Sequence, residues 1–137
     1  MNISWVRLSI LILPLIPFWM QIETSQARGH KSKIEQNNIK VPPLSDVAQR
    51  GKLAYEQFCA NCHGKNIGGS DKGPTFISRL YHPGHHRDEA FITAARRGII
   101  RHHWKFGDMK PVKDVTDDQI REIVIYVRRL QKENGVF

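Results

Sequence analysis

Two cysteines and a histidine near the middle of the chain could act together on one cofactor. Cys59 and Cys62 are three residues apart and His63 follows directly, in the sequence Cys-Ala-Asn-Cys-His. Thiols at this spacing on a helical turn can add to the two vinyl groups of one haem, and the adjacent imidazole can then reach the iron. The pattern is therefore typical of covalent attachment of a c-type haem.

Three other kinds of site use the same residue types. A zinc site needs four ligands, usually with a second close pair, and the sequence has no third cysteine. A thioredoxin-type redox pair normally follows a strand, whereas the residues before Cys59 have a helical pattern. A structural disulfide would explain the two cysteines of an exported protein but gives His63 no role. Haem attachment is the interpretation that uses all three residues.

Met109 is the candidate for a second bond to the iron. An iron held by one histidine either takes a sixth ligand or keeps an open position. Met1 and Met20 belong to the N-terminal segment, which is predicted to be an export signal. Met109 is therefore the only thioether in the rest of the chain. A methionine in a loop can also fill an apolar gap. The segment around residues 107–111 is basic and polar, however, which favours His63 and Met109 as the two metal ligands.

A first helix is predicted to deliver the two cysteines at its end. Ser45 can cap this helix, because its side-chain oxygen can accept from a free backbone N–H of the first turn. Apolar and small residues then recur at intervals of three and four, which is the spacing of one helix face. They are Val47, Gly51, Ala54, Tyr55, Phe58 and Cys59.

Two further helices are predicted after the cysteines. Asp88 is expected to cap a helix over residues 89–97, with its inward face made by Ala and Phe side chains and its end at Gly98. The sequence Thr-Asp-Asp-Gln at 116–119 is a capping box, and the apolar face of the helix that it starts continues until Gly135. No alternating run predicts a strand, so the expected fold is all-α, with about three main helices.

The segments between these helices are long for so small a domain. Residues 64–87 and 99–114 are rich in Gly, Pro and His and show no periodicity. The folded unit is expected to start near residue 44, so it has fewer than 100 residues. A domain of this size often needs a bound group or a covalent link to be stable. The loops are therefore expected to wrap one haem.

The chain resembles the class I cytochrome c family over residues 44–130. Gly51 and Tyr55 lie eight and four residues before the first cysteine, where the family has a small residue and an aromatic residue. Ile123 and Tyr126 match the apolar and aromatic positions of its last helix. The resemblance implies that these two helices cross closely, with the glycine admitting its partner helix.

The resemblance also implies a ligand set. It implies one haem c, bound covalently through Cys59 and Cys62, with His63 and Met109 on the iron. Pro74 follows a glycine at the position where the family uses a carbonyl to accept a hydrogen bond from the axial histidine. The family often has proline directly after the methionine, whereas here a lysine intervenes.

The function that follows from the resemblance is outer-sphere electron transfer. An iron with two protein ligands changes between ferric and ferrous with little movement, and it leaves no position for a substrate. The chain is therefore expected to be an electron carrier and not an enzyme. Two alternatives remain: a haem sensor or ligand-binding protein in which Met109 is labile, and a haem subunit of a larger dehydrogenase or oxidase.

Two histidine pairs and Trp104 have no general counterpart in the family. Tyr81 and Trp104 are expected to shield the edge of the haem, as further cofactor-binding residues. The histidines could supply an alternative sixth ligand, bind copper or zinc, donate to the haem propionates or anchor loops, or simply be solvated. They are His85, His86, His102 and His103.

The N-terminal segment predicts export. Residues 8–20 form an apolar run with Pro14 and Pro17 inside it, too short and too interrupted for a spanning helix. Ser25 and Ala27 offer a cleavage site after residue 27. Residues 1–27 are therefore expected to be a signal peptide for the periplasm, with an uncleaved anchor in the inner membrane as the alternative.

The rest of the chain divides into a linker and one domain. Residues 28–43 are polar and end in two prolines, so they are expected to be a flexible linker. Residues 44–137 are expected to form the cytochrome c domain. The mean hydropathy of −0.44 excludes a protein with several membrane spans.

Positive charge is concentrated in the middle of the domain. The whole chain has a formal net charge of +8, and residues 64–113 carry ten cations against four anions. Such a basic surface favours redox partners with acidic docking surfaces, although a solvated surface without a partner is the alternative. Nucleic acid is not an expected partner of an exported protein. The ten cations are Lys65, Lys72, Arg79, Arg87, Arg96, Arg97, Arg101, Lys105, Lys110 and Lys113.

Overall fold

The computed structural model describes residues 38–137. The predicted signal peptide lies outside these residues, as does the first part of the predicted linker. The described chain forms four helices and no strand, and its one antiparallel bridge pairs Ile99 with Met109. The predicted all-α fold is confirmed. The helices are α1 (Asp46–Phe58), α2 (Ala60–His63), α3 (Asp88–Arg97) and α4 (Asp117–Glu133), with 3-10 turns at Lys65–Ile67 and Arg79–Tyr81.

Helix α1 begins as the sequence predicts, and it ends one residue before Cys59. The Ser45 hydroxyl accepts from the backbone N–H of Ala48, which satisfies one of the free donors of the first turn. The helix ends at Phe58, and the N–H of Cys59 still donates to the Tyr55 carbonyl at 2.8 Å. The chain then enters α2 directly, so α1 fixes where the cysteine segment starts.

Helix α4 carries the predicted capping box. The N–H of Gln119 donates to the Thr116 hydroxyl at 3.2 Å, and the N–H of Thr116 donates to the Gln119 side chain at 2.9 Å. Gly135 follows the end of the helix with a φ of +70°. The predicted third helix is confirmed. Its buried residues are Ile120, Ile123, Val124, Tyr126, Val127, Leu130 and Gln131.

The crossing of α1 and α4 is the most extensively packed pair of elements in the described chain. Gly51 lies so close to α4 that a Cβ atom there would overlap the carbonyl of Glu122. The rings of Tyr55 and Tyr126 pack with their centroids 5.5 Å apart, and both residues are fully buried. The close approach that the resemblance implies is therefore present, and only glycine permits it.

Helix α3 differs from its prediction at the start. Arg87 occupies the N-cap position, and the predicted cap, Asp88, lies in the first turn. The Asp88 carboxylate accepts from Arg128 Nε at 2.7 Å, so it is used by α4 and not by the end of its own helix. No residue of α3 is fully buried, and its expected inward residues Ala90, Phe91, Ala94 and Ala95 are half-buried.

The described end of the predicted linker lies against α4. The N–H of Lys40 donates to the Asn134 side chain at 2.9 Å, and that side chain donates back to the Lys40 carbonyl at 2.8 Å. Pro42 is buried. Within residues 38–137 no helix is both long enough and apolar enough to cross a membrane.

Candidate cofactor site

Helix α2 and its N-cap residue, Cys59, hold the two cysteines and the histidine on one turn. The N–H groups of Cys62 and His63 both donate to the Cys59 carbonyl, at 3.1 and 2.9 Å. Cys59 is half-buried at the end of α1, whereas Cys62 is exposed. One thiol therefore faces the interior of the domain, and the other lies at its surface.

The environment of Cys59 does not suit a redox dithiol. Burial raises the pKa of the Cys59 thiol to about 11, and the neighbouring Cys62 adds to the shift. A reactive cysteine needs the opposite, a lowered pKa that stabilises the thiolate. In the part of the chain that the structure describes, no cluster suited to a metal ion includes either cysteine. The thioredoxin-type and zinc interpretations of these two residues therefore have no support in the structure.

His63 is buried, with only 8% of its surface exposed, and its ring is oriented by a hydrogen bond. Its Nδ1 lies 3.0 Å from the Pro74 carbonyl, the bond that the resemblance implies. Because a carbonyl only accepts, Nδ1 carries the proton and Nε2 keeps the lone pair that a metal needs. Burial also lowers the pKa of His63, which favours the neutral ligand form, against the opposing effect of the Pro74 hydrogen bond.

The backbone after α2 brings Pro74 to this histidine. Gly64 has a φ of +73°, and a Cβ atom there would overlap the Gly69 carbonyl, so the turn requires glycine. The N–H of Gly69 donates to the His63 carbonyl at 2.6 Å. The buried Tyr55 hydroxyl donates to the Gly64 carbonyl at 2.8 Å. The helix crossing is thereby linked directly to the turn that positions His63.

Phe76 is a site residue that the sequence analysis missed. Its ring stacks on His63 with centroids 4.3 Å apart, and its carbonyl accepts from the buried side chain of Gln131 at 3.0 Å. It also contacts Tyr81 and Phe91 edge to face, at 5.1 and 5.4 Å. Phe76 is the only aromatic residue between His63 and Tyr81. This is the one sequence feature that could have indicated its role.

Tyr81 and Trp104 lie together, although 23 residues separate them. The Trp104 Nε1–H donates to the Tyr81 hydroxyl at 3.1 Å. Burial raises the pKa of Tyr81, and the bond from Trp104 opposes this shift. Through Phe76 the pair is continuous with His63. The structure therefore connects both predicted aromatic residues to the candidate site.

Met109 is positioned by a different element from His63. Its N–H and carbonyl pair with those of Ile99, both at 2.9 Å, directly after α3. The loop between them is closed by Asp108, whose carboxylate accepts from the N–H of Arg101 at 2.9 Å. Met109 is half-buried. The bridge fixes the backbone from which its thioether extends.

Arg128 joins α4 to the loops of the site, and the sequence analysis did not single it out. Its side chain is 13% exposed and lies with its guanidinium 4.9 Å from the centre of the Phe91 ring. It donates to the carbonyls of Tyr81 and His86 and to the side chains of Asp88 and Gln131. The sequence feature that could have indicated its role is the position of this cation directly beside the apolar face of α4.

The basic surface predicted for residues 64–113 is exposed. All ten of its Lys and Arg side chains lie at the surface. Within residues 38–137, Arg96 is the only one of the ten in an ion pair, and its partner is Asp117. The positive charge of this region is therefore largely uncompensated.

The donor set fits a haem c. It consists of two thiols on one helical turn and a buried imidazole whose Nδ1 is bound to a carbonyl, which leaves Nε2 for iron. Met109 offers a thioether from a segment that is anchored separately, by its pairing with Ile99. Cys59 and Cys62 would hold such a group, and His63 with Met109 would be its axial ligands.

The comparison with known families agrees with this donor set. A family model described as cytochrome c matches residues 48–131, which is more than half of the chain. The match covers most of α1, the cysteine segment, the Met109 loop and most of α4. Searches of curated proteins and of solved structures gave no match.

Proposed function

The chain belongs to the cytochrome c family, and we propose that it is a periplasmic electron carrier with one haem c. Cys59 and Cys62 hold the haem by two thioether bonds, and His63 and Met109 are the axial ligands. The observation that carries the proposal is the 3.0 Å hydrogen bond from His63 Nδ1 to the Pro74 carbonyl. His63 lies on the same turn as both cysteines. The hydrogen bond prepares Nε2 as an iron ligand.

When bound, haem supplies an iron that accepts and releases one electron. The contribution of this chain is to keep the ligands still. The Pro74 carbonyl fixes the tautomer and orientation of His63, and the ring of Phe76 restricts its movement. The bridge between Ile99 and Met109 fixes the second ligand segment. A fixed ligand set lowers the cost of each electron transfer, and a soft thioether ligand favours the ferrous state.

Two axial protein ligands favour a carrier over an enzyme. With His63 and Met109 both bound, the iron has no position for a substrate. A sensor needs an open or easily opened position instead. Carbon monoxide distinguishes the two, because the proposed ferrous protein resists it and a sensor with a labile Met109 binds it.

The exposed cations suit partners with acidic surfaces. Ten cations against four anions between residues 64 and 113 create a positive field in the segments that contain Pro74 and Met109. Such a field raises the rate of encounter with an acidic donor or acceptor. We infer redox proteins with acidic docking surfaces as partners.

The N-terminal segment supports export to the periplasm. A cationic start, an apolar run over residues 8–20 and small residues at Ser25 and Ala27 together form a signal-peptide pattern. Cleavage after residue 27 releases a chain that starts at Arg28. Association with the inner membrane then requires that the segment is retained, as in the subunit alternative.

Intact-mass measurement of the protein purified from an exporting host tests the proposal. The expected product starts at Arg28 and carries the mass of one haem that acid extraction does not remove. A chain that starts at Met1 would support the anchored alternative. A chain without haem would contradict the function itself, and carbon monoxide binding to the ferrous protein would favour the sensor.

A further inference from the structure

Three imidazoles that the electron-carrier function does not use come together from two loops. His85 and His86 lie between the second 3-10 turn and α3, and His103 lies in the loop that leads to Met109. One ligand nitrogen from each of the three lies within 4.8 Å of the others. We propose that His85, His86 and His103 form a site for a divalent transition-metal ion, with Zn²⁺ as the reference ion.

The donor set decides the class of ion. Neutral imidazoles suit Zn²⁺, Cu²⁺ and Ni²⁺, whereas Ca²⁺ and Mg²⁺ require oxygen ligands. Three protein ligands leave a fourth position of a tetrahedral ion for water or a small anion. Arg87, Arg101 and Lys105 flank the histidines in the sequence and favour an anion there.

The distances are within reach of coordination. Zinc binds imidazole nitrogen at about 2.0–2.1 Å, which brings two tetrahedral ligand nitrogens to roughly 3.4 Å from each other. The ring centroids of His85 and His86 are 4.7 Å apart, and His103 lies 5.6 and 5.5 Å from them. His85 and His103 are exposed, so small side-chain rotations bring the nitrogens together.

His86 is already oriented as a ligand. Its Nδ1 lies 2.5 Å from the Leu80 carbonyl, so Nδ1 carries the proton and Nε2 is free for a metal. The His86 carbonyl accepts from the guanidinium of Arg128, which also binds the Tyr81 carbonyl. The backbone of this loop is therefore anchored to α4 independently of any metal.

The second loop is held against the first by the hydrogen bond from Trp104 to Tyr81, at 3.1 Å. His103 directly precedes Trp104, and its ring lies 5.6 Å from that of His85 and 5.5 Å from that of His86. His102 is not part of the proposed set, because the nitrogens that lie within 4.8 Å of one another belong to His85, His86 and His103, and the ring of His102 is 6.4 Å from that of His86. A bound ion would cross-link the two loops.

Calorimetric titration of Zn²⁺ into the chelator-treated, haem-loaded protein tests the site. We expect one ion per chain, with a dissociation constant in the micromolar range or tighter. His85→Ala or His103→Ala should weaken binding by more than about 100-fold, since even loss of an outer-shell partner costs roughly 10- to 100-fold. His82→Ala is the matched control, because His82 is exposed on the same loop and its ring faces Phe137. It should bind like the parent.

Proteolysis provides an independent measurement of the cross-link. Arg87, Arg101 and Lys105 are exposed trypsin sites beside the proposed ligands. Zn²⁺ should slow cleavage there in the parent and in His82→Ala, but not in His103→Ala. Equal protection in His103→Ala, or unchanged calorimetric affinity in that variant, would overturn the proposal.

The haem spectrum separates this site from the proposed function. Zn²⁺ and the substitution His103→Ala should both leave the spectrum of the ferric protein unchanged. A spectral change on His103→Ala would make His103 an iron ligand and overturn the metal site. Absence of Zn²⁺ binding with an unchanged haem spectrum would overturn the metal site alone.

Discussion

The crossing of α1 and α4 and the segment between residues 64 and 113 are built in different ways. The crossing supplies most of the buried core, and each of its helices has no net charge, with two cations and two anions in α1 and four of each in α4. Residues 64–113 carry a surplus of six cations, and their only long helix, α3, has no fully buried residue. Stability is concentrated in the first region, whereas the second contains Pro74, Phe76 and Met109 and directly follows the turn that holds the cysteines and His63.

Three side chains of the crossing donate hydrogen bonds to backbone carbonyls of the second region. The Tyr55 hydroxyl binds the Gly64 carbonyl, the Gln131 side chain binds the Phe76 carbonyl, and Arg128 binds the loop carbonyls described above. Each donor lies on a helix of the crossing, and each acceptor belongs to the backbone of the second region. The crossing therefore positions the site through a few directed bonds as well as through apolar packing.

The largest expected effect is loss of the folded state when both thioether bonds are prevented. In Cys59→Ala with Cys62→Ala, the protein loses the covalent link to its haem, and a domain this small often needs such a link to be stable. Little folded protein should be recovered, measured by circular dichroism and haem content. Cys62→Ala alone is the control and should retain haem through one thioether. A haem-free double variant that melts cooperatively would show that the crossing suffices.

The second largest expected effect is loss of the sixth iron ligand, and it is confined to the second region. Met109→Ala removes the proposed sixth ligand and leaves the crossing intact, so the protein should fold but bind carbon monoxide and cyanide stoichiometrically, with a lower reduction potential. Optical spectra measure all three changes, including loss of the weak band near the red end of the ferric spectrum. Lys110→Ala, at the neighbouring residue, is the matched control and should behave like the parent. A six-coordinate, histidine-type spectrum in Met109→Ala would assign the position to His102 or His103.

The crossing itself is tested by Gly51→Ala. A Cβ atom at residue 51 overlaps the Glu122 carbonyl, so the helices must separate, at a cost of about 1–3 kcal/mol in the free energy of unfolding. Denaturant unfolding of the haem-loaded protein measures this cost. Gly84→Ala serves as control, since its Cβ would meet only the ring of the exposed His82. Equal stability of the two variants would show that the close approach is not required.

The charge difference between the regions predicts salt-dependent electron transfer. Screening limits the field of the exposed cations to about 8 Å at physiological ionic strength. Stopped-flow rates with an acidic acceptor should fall as salt rises. Replacing Lys105 and Lys110 by Glu should slow association more than transfer within the complex. Arg121→Glu on α4 is the matched control, and a salt-independent rate for the parent would remove the steering effect.

The smallest effect contrasts two buried tyrosines of the crossing. Tyr126→Phe should change stability by less than about 0.5 kcal/mol, because the Tyr126 hydroxyl has no hydrogen-bond partner among the described residues. Tyr55→Phe should cost about 1 kcal/mol, because it removes the bond to the Gly64 carbonyl. Denaturant unfolding compares the pair. A larger loss for Tyr126→Phe would contradict the assignment of the connecting bond to Tyr55.

Local patterns in the sequence were sufficient where the structure depends on neighbours in the chain. The Ser45 cap and the Thr116–Gln119 capping box lie within one turn of their partners, and both were predicted. The Asp88 cap was predicted wrongly because Arg128, 40 residues away, competes for the same carboxylate. A local pattern contains no information about such a competitor.

The site was predictable to the extent that its residues form a motif. The cysteines, His63 and Pro74 follow from spacing and from the family resemblance. Phe76 and Arg128 act through contacts across the fold, and a single aromatic or basic residue gives no spacing to recognise. The histidine cluster required the structure for the same reason, since the bond between Trp104 and Tyr81 brings its two loops together.

A redox titration of the haem-loaded mature protein, followed by its absorption spectrum, tests the central claim most directly. The chain should show one reversible one-electron transition, with a six-coordinate iron in both states and the methionine-type band in the ferric state. A five-coordinate iron in either state, or a spectrum without covalently bound haem, would contradict a His63- and Met109-ligated electron carrier.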